Sequence, residues 1–396
     1  MRPTFICKTT WPHSCTTSVP KGGSPMAEPV SQEIELVLLL SLPDPRPDQA
    51  EAMLELLNTP LDWNQVLGML TVHRVVGIAW HNILRYVIQH RQTLLSAYFL
   101  KSLKVTAAGQ RLMAQEQMSR TAEMQRALAD AGVRSAILKG GAVAAMAYPD
   151  LGMRMFHDND VLVDPDRLRD AVAVLQDLGY VQGSWDYATA SVRPAPRRQV
   201  LHMAMHSHQT YSYMKPTPEA TVLECHRLDV HFSVDLMTGN RSDAAVSALL
   251  DDRIELRGLS SISPIDMLIF SCVHFAREAA HRNEVMALKD LVLYKLVDVV
   301  ALLADRDLDG VPERAARLGF TREVYFALHH TDELFTGRVP AELLDRLRPD
   351  DLGYLDEVGE GEADVHRWRA PMKQRMFDIH RLRELDGDLS IPVLGG

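Results

Sequence analysis

The feature that most constrains the fold is a change of hydrophobic period after Gly132. From about residue 32 to 131 the apolar residues recur at helical spacing, as in EIELVLLL and TAEMQRALADAG. The following stretch, VRSAILKGGAVAAMAY, contains a short apolar run and then two glycines, which is typical of a buried strand that turns into a helix. Two more strand-like segments, HDNDVLVD and YVQGSW, flank a helix that begins near Pro165. The change of period predicts that a mixed α/β core follows a helical segment.

The rest of the chain extends this core and then returns to helix. Two β-like stretches, RQVLHMAMHSH and ATVLECHRLDVHFSVDL, bring the number of strands to about five, and helical spacing resumes after about Ser260. We therefore predict an α+β fold in four segments: a disordered leader at 1–27, an N-terminal helical region at 28–131, an α/β core at 132–260 and a C-terminal helical region at 261–396.

Composition and charge argue against several classes of protein. The chain carries 42 Lys and Arg against 52 Asp and Glu, a formal net charge of -10, which disfavours non-specific binding to DNA and to anionic membranes. No apolar stretch approaches the roughly 20 residues that a bilayer span needs, and the N-terminus lacks the apolar region of a signal peptide. The four cysteines form neither a disulfide framework nor a CxxC pair. We therefore predict a cytoplasmic protein without a membrane partner.

Two acids, Asp158 and Asp160, lie one residue apart in FHDNDVLVD, at the start of a predicted strand. Side chains two apart in a strand project to the same face, so the two carboxylates would repel each other unless a cation lay between them. Mg²⁺ (or Mn²⁺) binds such oxygen ligands together with the phosphate oxygens of a nucleotide. The alternative is that the pair forms the solvated edge of an ordinary strand.

Two neighbouring features favour the metal-nucleotide interpretation. The strand SAIL leads through Lys139 into Gly140 and Gly141 at the start of a helix. Glycines allow close approach of the backbone, and free N–H groups at a helix start favour a phosphate, with Lys139 as a possible counter-charge. Arg154 precedes Asp158 by four residues and could clamp a phosphate through its planar guanidinium.

A third carboxylate is expected from the later strand CHRLDVHFSVDL, which places Asp229, His231 and Asp235 at spacings that share a face. A third acid would complete a site in which two metal ions hold the attacking and the leaving oxygen. Asp229 is the first candidate and Glu224 the reserve. His231 either orients Asp229 or is a half-buried structural histidine.

A zinc site is a competing interpretation of the histidines. His202, His206 and His208 lie close together in LHMAMHSH, and Cys225 and His226 lie on the candidate partner strand. The three histidines share a face only if their segment is a strand, and no HExxH or paired CxxC accompanies them. We favour the carboxylate site.

The order of these motifs resembles the uncharacterised nucleotidyltransferase family, which belongs to the polymerase-beta-like nucleotidyltransferase superfamily. The resemblance covers about residues 30 to 305 and rests on these segments: ILKGGAVAAMAYPD, MRMFHDNDVLV, LQDLGY, LDVHFSV, FSCVHFAREAAH and KLVDVVALL. It implies a small mixed-sheet nucleotidyltransferase core flanked by N-terminal and C-terminal helical domains. It also implies metal ligands at Asp158, Asp160 and Asp229, and a turn at Gly140 and Gly141 that faces the nucleotide phosphates.

The activity that the resemblance implies is transfer of a nucleoside monophosphate from a nucleoside triphosphate, with ATP as the expected donor. The acceptor is not identified and could be a small molecule, a peptide, a protein or an RNA end. Two departures stand out: Gly141 replaces the serine that is usual in the superfamily, and Asn159 replaces the apolar residue that is usual in the family between the two acids. The alternatives are a kinase-like phosphotransferase and a non-catalytic member that binds a peptide or protein.

Overall fold

The computed structural model describes these residues: 31–88, 95–236, 240–304, 306–359 and 365–387. The leader predicted at 1–27 lies outside them. The N-terminal helices α1 to α5 are Gln32–Leu40, Pro47–Leu56, Trp63–Val72, Val76–Asn82 and Ala97–Asp130. Helices α6 to α9 are Lys139–Ala147, Leu168–Asp177, Arg197–His206 and Asp243–Asp251. Helices α10 to α16 are Pro264–Ala280, Arg282–Met286, Tyr294–Leu303, Val311–Leu318, Thr321–Leu334, Ala341–Leu347 and Met372–Phe377.

One mixed sheet forms the centre of the fold. Its strands β1 to β8 are Ser135–Leu138, Asn159–Val163, Val181–Asp186, Ser191–Pro194, Tyr213–Pro216, Cys225–His231, Ile254–Leu256 and Leu259–Ser261. They lie in the order β4-β3-β5-β6-β2-β1-β8-β7, with β2 parallel to β6 and antiparallel to β1. Two short strands near the C-terminus, β9 (Glu357–Val358) and β10 (His366–Arg367), pair separately. The predicted α+β fold with a mixed sheet and flanking helices is confirmed.

One predicted strand was wrong. The segment RQVLHMAMHSH forms helix α8 up to His206. Strands β4 and β5, which flank this segment in the chain, take the places on both sides of β3. Its Arg, Gln, Leu, Met and Ala residues are good helix formers, and propensity prevails where no pairing opposes it. His202 and His206 are exposed on α8, whereas His208 lies beyond the helix and is buried, so the three do not share a strand face.

Helix α5 holds the beginning of β2 through buried polar side chains. Gln117 donates from Nε2 to the carbonyl oxygen of Phe156 at 2.9 Å and accepts from Asn159 Nδ2 at 2.7 Å. Thr121 donates to Asn159 Oδ1 at 3.1 Å. Asn159 therefore points toward α5 and anchors the strand, while its neighbours Asp158 and Asp160 are free to face the opposite side.

The helical parts pack on the sheet through one continuous cluster of buried apolar side chains, which runs from Leu36 in α1 to Met376 in α16. Within the described ranges, no helix combines the length and the apolar character that a membrane span requires.

We expect Gly77→Ala to lower the free energy of unfolding by about 3 kcal/mol, because it overfills a tight contact. Gly77 lies in α4 against the 3-10 turn Leu151–Met153, and a Cβ there would lie 1.9 Å from the carbonyl oxygen of Gly152. Urea-induced unfolding measures the loss. Gly68→Ala in α3 is the control, since nothing lies within 4 Å of its Cβ. Equal stability of the two variants would show that α4 does not approach this turn closely.

Candidate active site

The strand register places two of the predicted acids side by side. Asp160 in β2 and Asp229 in β6 are Cα partners in a parallel ladder, so their side chains project to the same face of the sheet. Asp158 lies one residue before β2 and lines the same cleft. On the other side of β2, Asp160 is paired with Leu138, the last residue of β1. The next residue, Lys139, therefore lies at the same end of these strands as Asp160.

Asp160 is buried and bound by two nitrogen groups. Its Oδ1 lies 3.0 Å from Lys139 Nζ and 2.7 Å from His231 Nε2. Burial, together with the charge of Lys139, lowers the pKa of His231 to about 3, so its ring is neutral and donates the Nε2 hydrogen to Asp160. Burial acts to lower the pKa of Lys139, but Asp160 and Asp158 outweigh it and raise the pKa. A charged ammonium therefore neutralises Asp160.

Asp229 has its own polar partners. It accepts a hydrogen bond from the Ser212 hydroxyl, and its Oδ2 lies 3.0 Å from Arg227 Nη2. Burial raises the pKa of Asp229 above its ordinary value, Arg227 opposes the rise, and the charges of Asp160 and Asp158 add to it. Since two other carboxylates face it, an additional cation would stabilise the ionised form of this acid.

The turn between β1 and α6 is tightly built. Lys139 has a positive φ of 44°. A Cβ on Gly140 would lie 2.7 Å from Phe156 Cβ, so this position requires glycine. Lys139 and Gly140 line the cleft. Gly141 lies behind it, where a Cβ would face the Phe156 ring at 3.4 Å and Asn159 Oδ1 at 3.8 Å. The Cβ of a serine at position 141 would therefore make ordinary contacts on the side away from the cleft.

Arg154 also lines the cleft, and its guanidinium pairs with a buried acid. Its Nε lies 2.9 Å and 2.8 Å from the two carboxylate oxygens of Asp298, and its Cζ lies 4.1 Å from the ring centroid of Tyr294. The Tyr148 hydroxyl donates to the same carboxylate at 2.8 Å. This buried network ties the loop before Asp158 to helix α12.

The cleft has a volume of about 1030 Å³ and lies between the sheet edge, α3, α10, α12 and the segment 376–381. Sequence reasoning missed two of its residues, Glu278 on α10 and Lys295 on α12, which form an ion pair at 2.5 Å. His274 on α10 also lies in the cleft wall, with its Nδ1 3.3 Å from Glu278. The spacing of four residues between His274 and Glu278 was visible in the sequence, but the packing of α12 against α10 was not.

The two other candidate acids lie elsewhere. Asp235 follows the end of β6 and pairs with Arg277 at 3.5 Å. Glu224 precedes β6, on the opposite face from Asp229, and accepts from Trp185 Nε1 at 3.3 Å. Asp158, Asp160 and Asp229 share the cleft, although their oxygens do not all lie within 4.8 Å of one another. The ammonium of Lys139 and the guanidinium of Arg227 hold two of them instead.

The match to a known protein family agrees with the sequence motifs. A solved structure, an antigenic nucleotidyltransferase-like protein from Paracoccidioides brasiliensis, is similar to this chain at 13% sequence identity. The match covers 60% of this chain and 94% of that protein, with a TM-score of 0.33. No curated protein matches. The model of the uncharacterised nucleotidyltransferase family matches residues 59–336. This range includes strands β1, β2 and β6 and helices α10 and α12. The resemblance inferred from the motifs is thereby confirmed, and the chain belongs to the uncharacterised nucleotidyltransferase family.

Proposed function

We propose that this protein is a metal-dependent nucleotidyltransferase that moves a nucleoside monophosphate from a nucleoside triphosphate, with ATP as the expected donor, to an acceptor hydroxyl or phosphate. The observation that carries the proposal is the pairing of Asp160 with Asp229 on adjacent parallel strands, with Asp158 beside them at the wall of a large cleft. Family membership supports nucleotidyl transfer as the chemistry.

The donor set suits Mg²⁺ (or Mn²⁺). Asp158, Asp160 and Asp229 supply only carboxylate oxygens, the ligands that a hard divalent ion prefers. Two of these acids carry a cationic partner, Lys139 or Arg227, at a position where a metal ion would compete for the same charge. Bound there, the ion would neutralise negative charge on the phosphates and on the attacking and leaving oxygens.

The chain's own residues have separate tasks in this proposal. Lys139 and Arg227 bring positive charge to the cleft wall, where a triphosphate needs it. Gly140 keeps the start of α6 free of side-chain bulk, and N–H groups at a helix start favour a phosphate. His231 holds the carboxylate of Asp160 by a neutral N–H donor. Asp229, whose pKa is raised by burial, binds metal or accepts the acceptor's proton.

The direct test uses α-labelled and γ-labelled ATP with Mg²⁺ and fractionated cell extract as the source of acceptor. We expect transfer of the α-label and release of pyrophosphate. Transfer of the γ-label with release of ADP would replace the proposal by the kinase-like alternative. Asp158→Asn is expected to abolish transfer, and Asp164→Asn is the matched control, because Asp164 pairs with Arg134 outside the cleft. No metal-dependent ATP binding by calorimetry would leave only a non-catalytic role.

We also expect Mg²⁺ binding to be lost as the pH falls, and the loss to occur at a higher pH in Arg227→Met than in the unmodified chain. Metal binding needs the ionised carboxylate, and Asp229 takes up a proton at a higher pH than an ordinary aspartate because burial raises its pKa. Arg227 opposes this rise, so its removal raises the pKa further and moves the loss of binding upward. Calorimetric titration of Mg²⁺ at several pH values measures it. Arg193→Met, which breaks an exposed pair with Asp186, should leave the profile unchanged.

A further inference from the structure

A second group of potential metal ligands lies on helix α14, outside the cleft. One nitrogen of His329, one of His330 and one carboxylate oxygen of Glu333 all lie within 4.8 Å of one another. Glu333 stands four positions after His329 and three after His330, spacings that place its side chain beside both rings on the helix surface. None of the three lines the cleft or touches the acids of the proposed nucleotidyltransferase site.

The hydrogen bonds of His330 define which of its ring nitrogens carries a lone pair. Its Nε2 lies 3.2 Å from the carbonyl oxygen of Leu355, which can only accept, so this nitrogen carries the hydrogen. The other nitrogen, Nδ1, lies 2.9 Å from Glu333 Oε2. With the hydrogen on Nε2, the lone pair of Nδ1 and a carboxylate oxygen of Glu333 lie side by side, where one metal ion would be bound by both. Histidine ligands of metals commonly donate their second N–H to a backbone carbonyl, as His330 does.

Contacts between aromatic rings hold His329 beside this pair. The His329 ring is held 5.1 Å from that of His330 and stacks on Tyr325 at 5.7 Å.

We propose that His329, His330 and Glu333 bind a divalent transition-metal ion, with Zn²⁺ as the ion that two imidazoles and one carboxylate suit. Because His330 also bonds to Leu355, the ion fastens α14 to the turn Gly353–Asp356. The site is distinct from the cleft in its chemistry, since nitrogen ligands select zinc whereas the three aspartates select magnesium.

The experiment uses the untagged full chain in a His202→Ala/His206→Ala background, since those exposed histidines, with ring centroids 4.7 Å apart, can themselves chelate a metal. After removal of metal with a chelator, Zn²⁺ is titrated by calorimetry with excess Mg²⁺ present to occupy carboxylate sites. We expect one equivalent of Zn²⁺ to bind and the melting temperature to rise. Co²⁺ in place of Zn²⁺ should give the visible absorption of a four-coordinate ion, which an all-oxygen octahedral site does not give.

His329→Gln and Glu333→Gln should each weaken Zn²⁺ binding by more than about tenfold. Substitution of a residue that only hydrogen-bonds to a metal ligand already lowers metal affinity by about that factor. Asp332→Asn is the matched control: it removes the same charge one residue away and keeps an oxygen to accept from the Gly337 N–H. Equal melting temperatures of all variants in chelator would show that they fold alike. Absence of stoichiometric Zn²⁺ binding, or equal binding by Glu333→Gln and Asp332→Asn, would overturn the proposal in favour of an imidazolium–carboxylate pair.

Discussion

Asp160→Asn is expected to reduce nucleotidyl transfer from α-labelled ATP by about 1,000-fold, the effect typical of losing a group that stabilises charge in the transition state. Asp160 occupies the centre of the proposed site, since it neighbours Asp229 across the parallel ladder and binds both Lys139 and His231. The substitution keeps the shape of the side chain and an acceptor oxygen. It removes the charge that a metal ion and Lys139 would share.

The matched control lies on the same segment of chain. Asp164 follows β2, pairs with Arg134 and is absent from the cleft wall, so Asp164→Asn should retain activity. Calorimetry with Mg-ATP separates binding from chemistry, and thermal unfolding checks that both variants fold. Full activity of Asp160→Asn would restore the interpretation that Asp158 and Asp160 are only the polar beginning of a strand.

Much of this site could be predicted from local patterns. A short apolar run before two glycines predicts β1 and the start of α6, and alternation predicts the faces of β2 and β6. The parallel pairing of β2 with β6 is not local, because the neighbours of a strand depend on the whole sheet. Helix α8 illustrates the same limit, since its segment alternates like a strand but β4 and β5 take the places on both sides of β3.

The departures from the superfamily pattern take a different meaning in the structure. Asn159 between the acids forms hydrogen bonds with Gln117 and Thr121 of α5, so a polar residue there anchors the strand without entering the cleft. Gly141 faces the Phe156 ring behind the cleft, so the absence of a serine at this position removes no group from the cleft wall. Both conclusions need the position of a distant segment, which single-residue comparison does not provide.

Arg154 and Asp298 show why long-range pairs escape sequence reasoning. They are 144 residues apart in the chain, and each alone has several ordinary interpretations. We expect Asp298→Ala to lower the free energy of unfolding by about 3–5 kcal/mol, because it leaves a buried guanidinium without a counter-charge. Urea-induced unfolding measures the loss. Arg154→Met should cost less, since burial raises the pKa of Asp298 and this acid can take up a proton, whereas arginine cannot lose its charge.

Nucleotide affinity then separates the two roles of Arg154. If it serves mainly to anchor the loop before Asp158 to α12, the double variant Arg154→Met/Asp298→Leu should recover most of the stability lost in Asp298→Ala, because an apolar pair can replace a buried ion pair. Its affinity for Mg-ATP should then stay close to that of the unmodified chain. A stable double variant that has lost Mg-ATP binding would instead show that Arg154 leaves Asp298 to clamp a phosphate, as its sequence position first indicated.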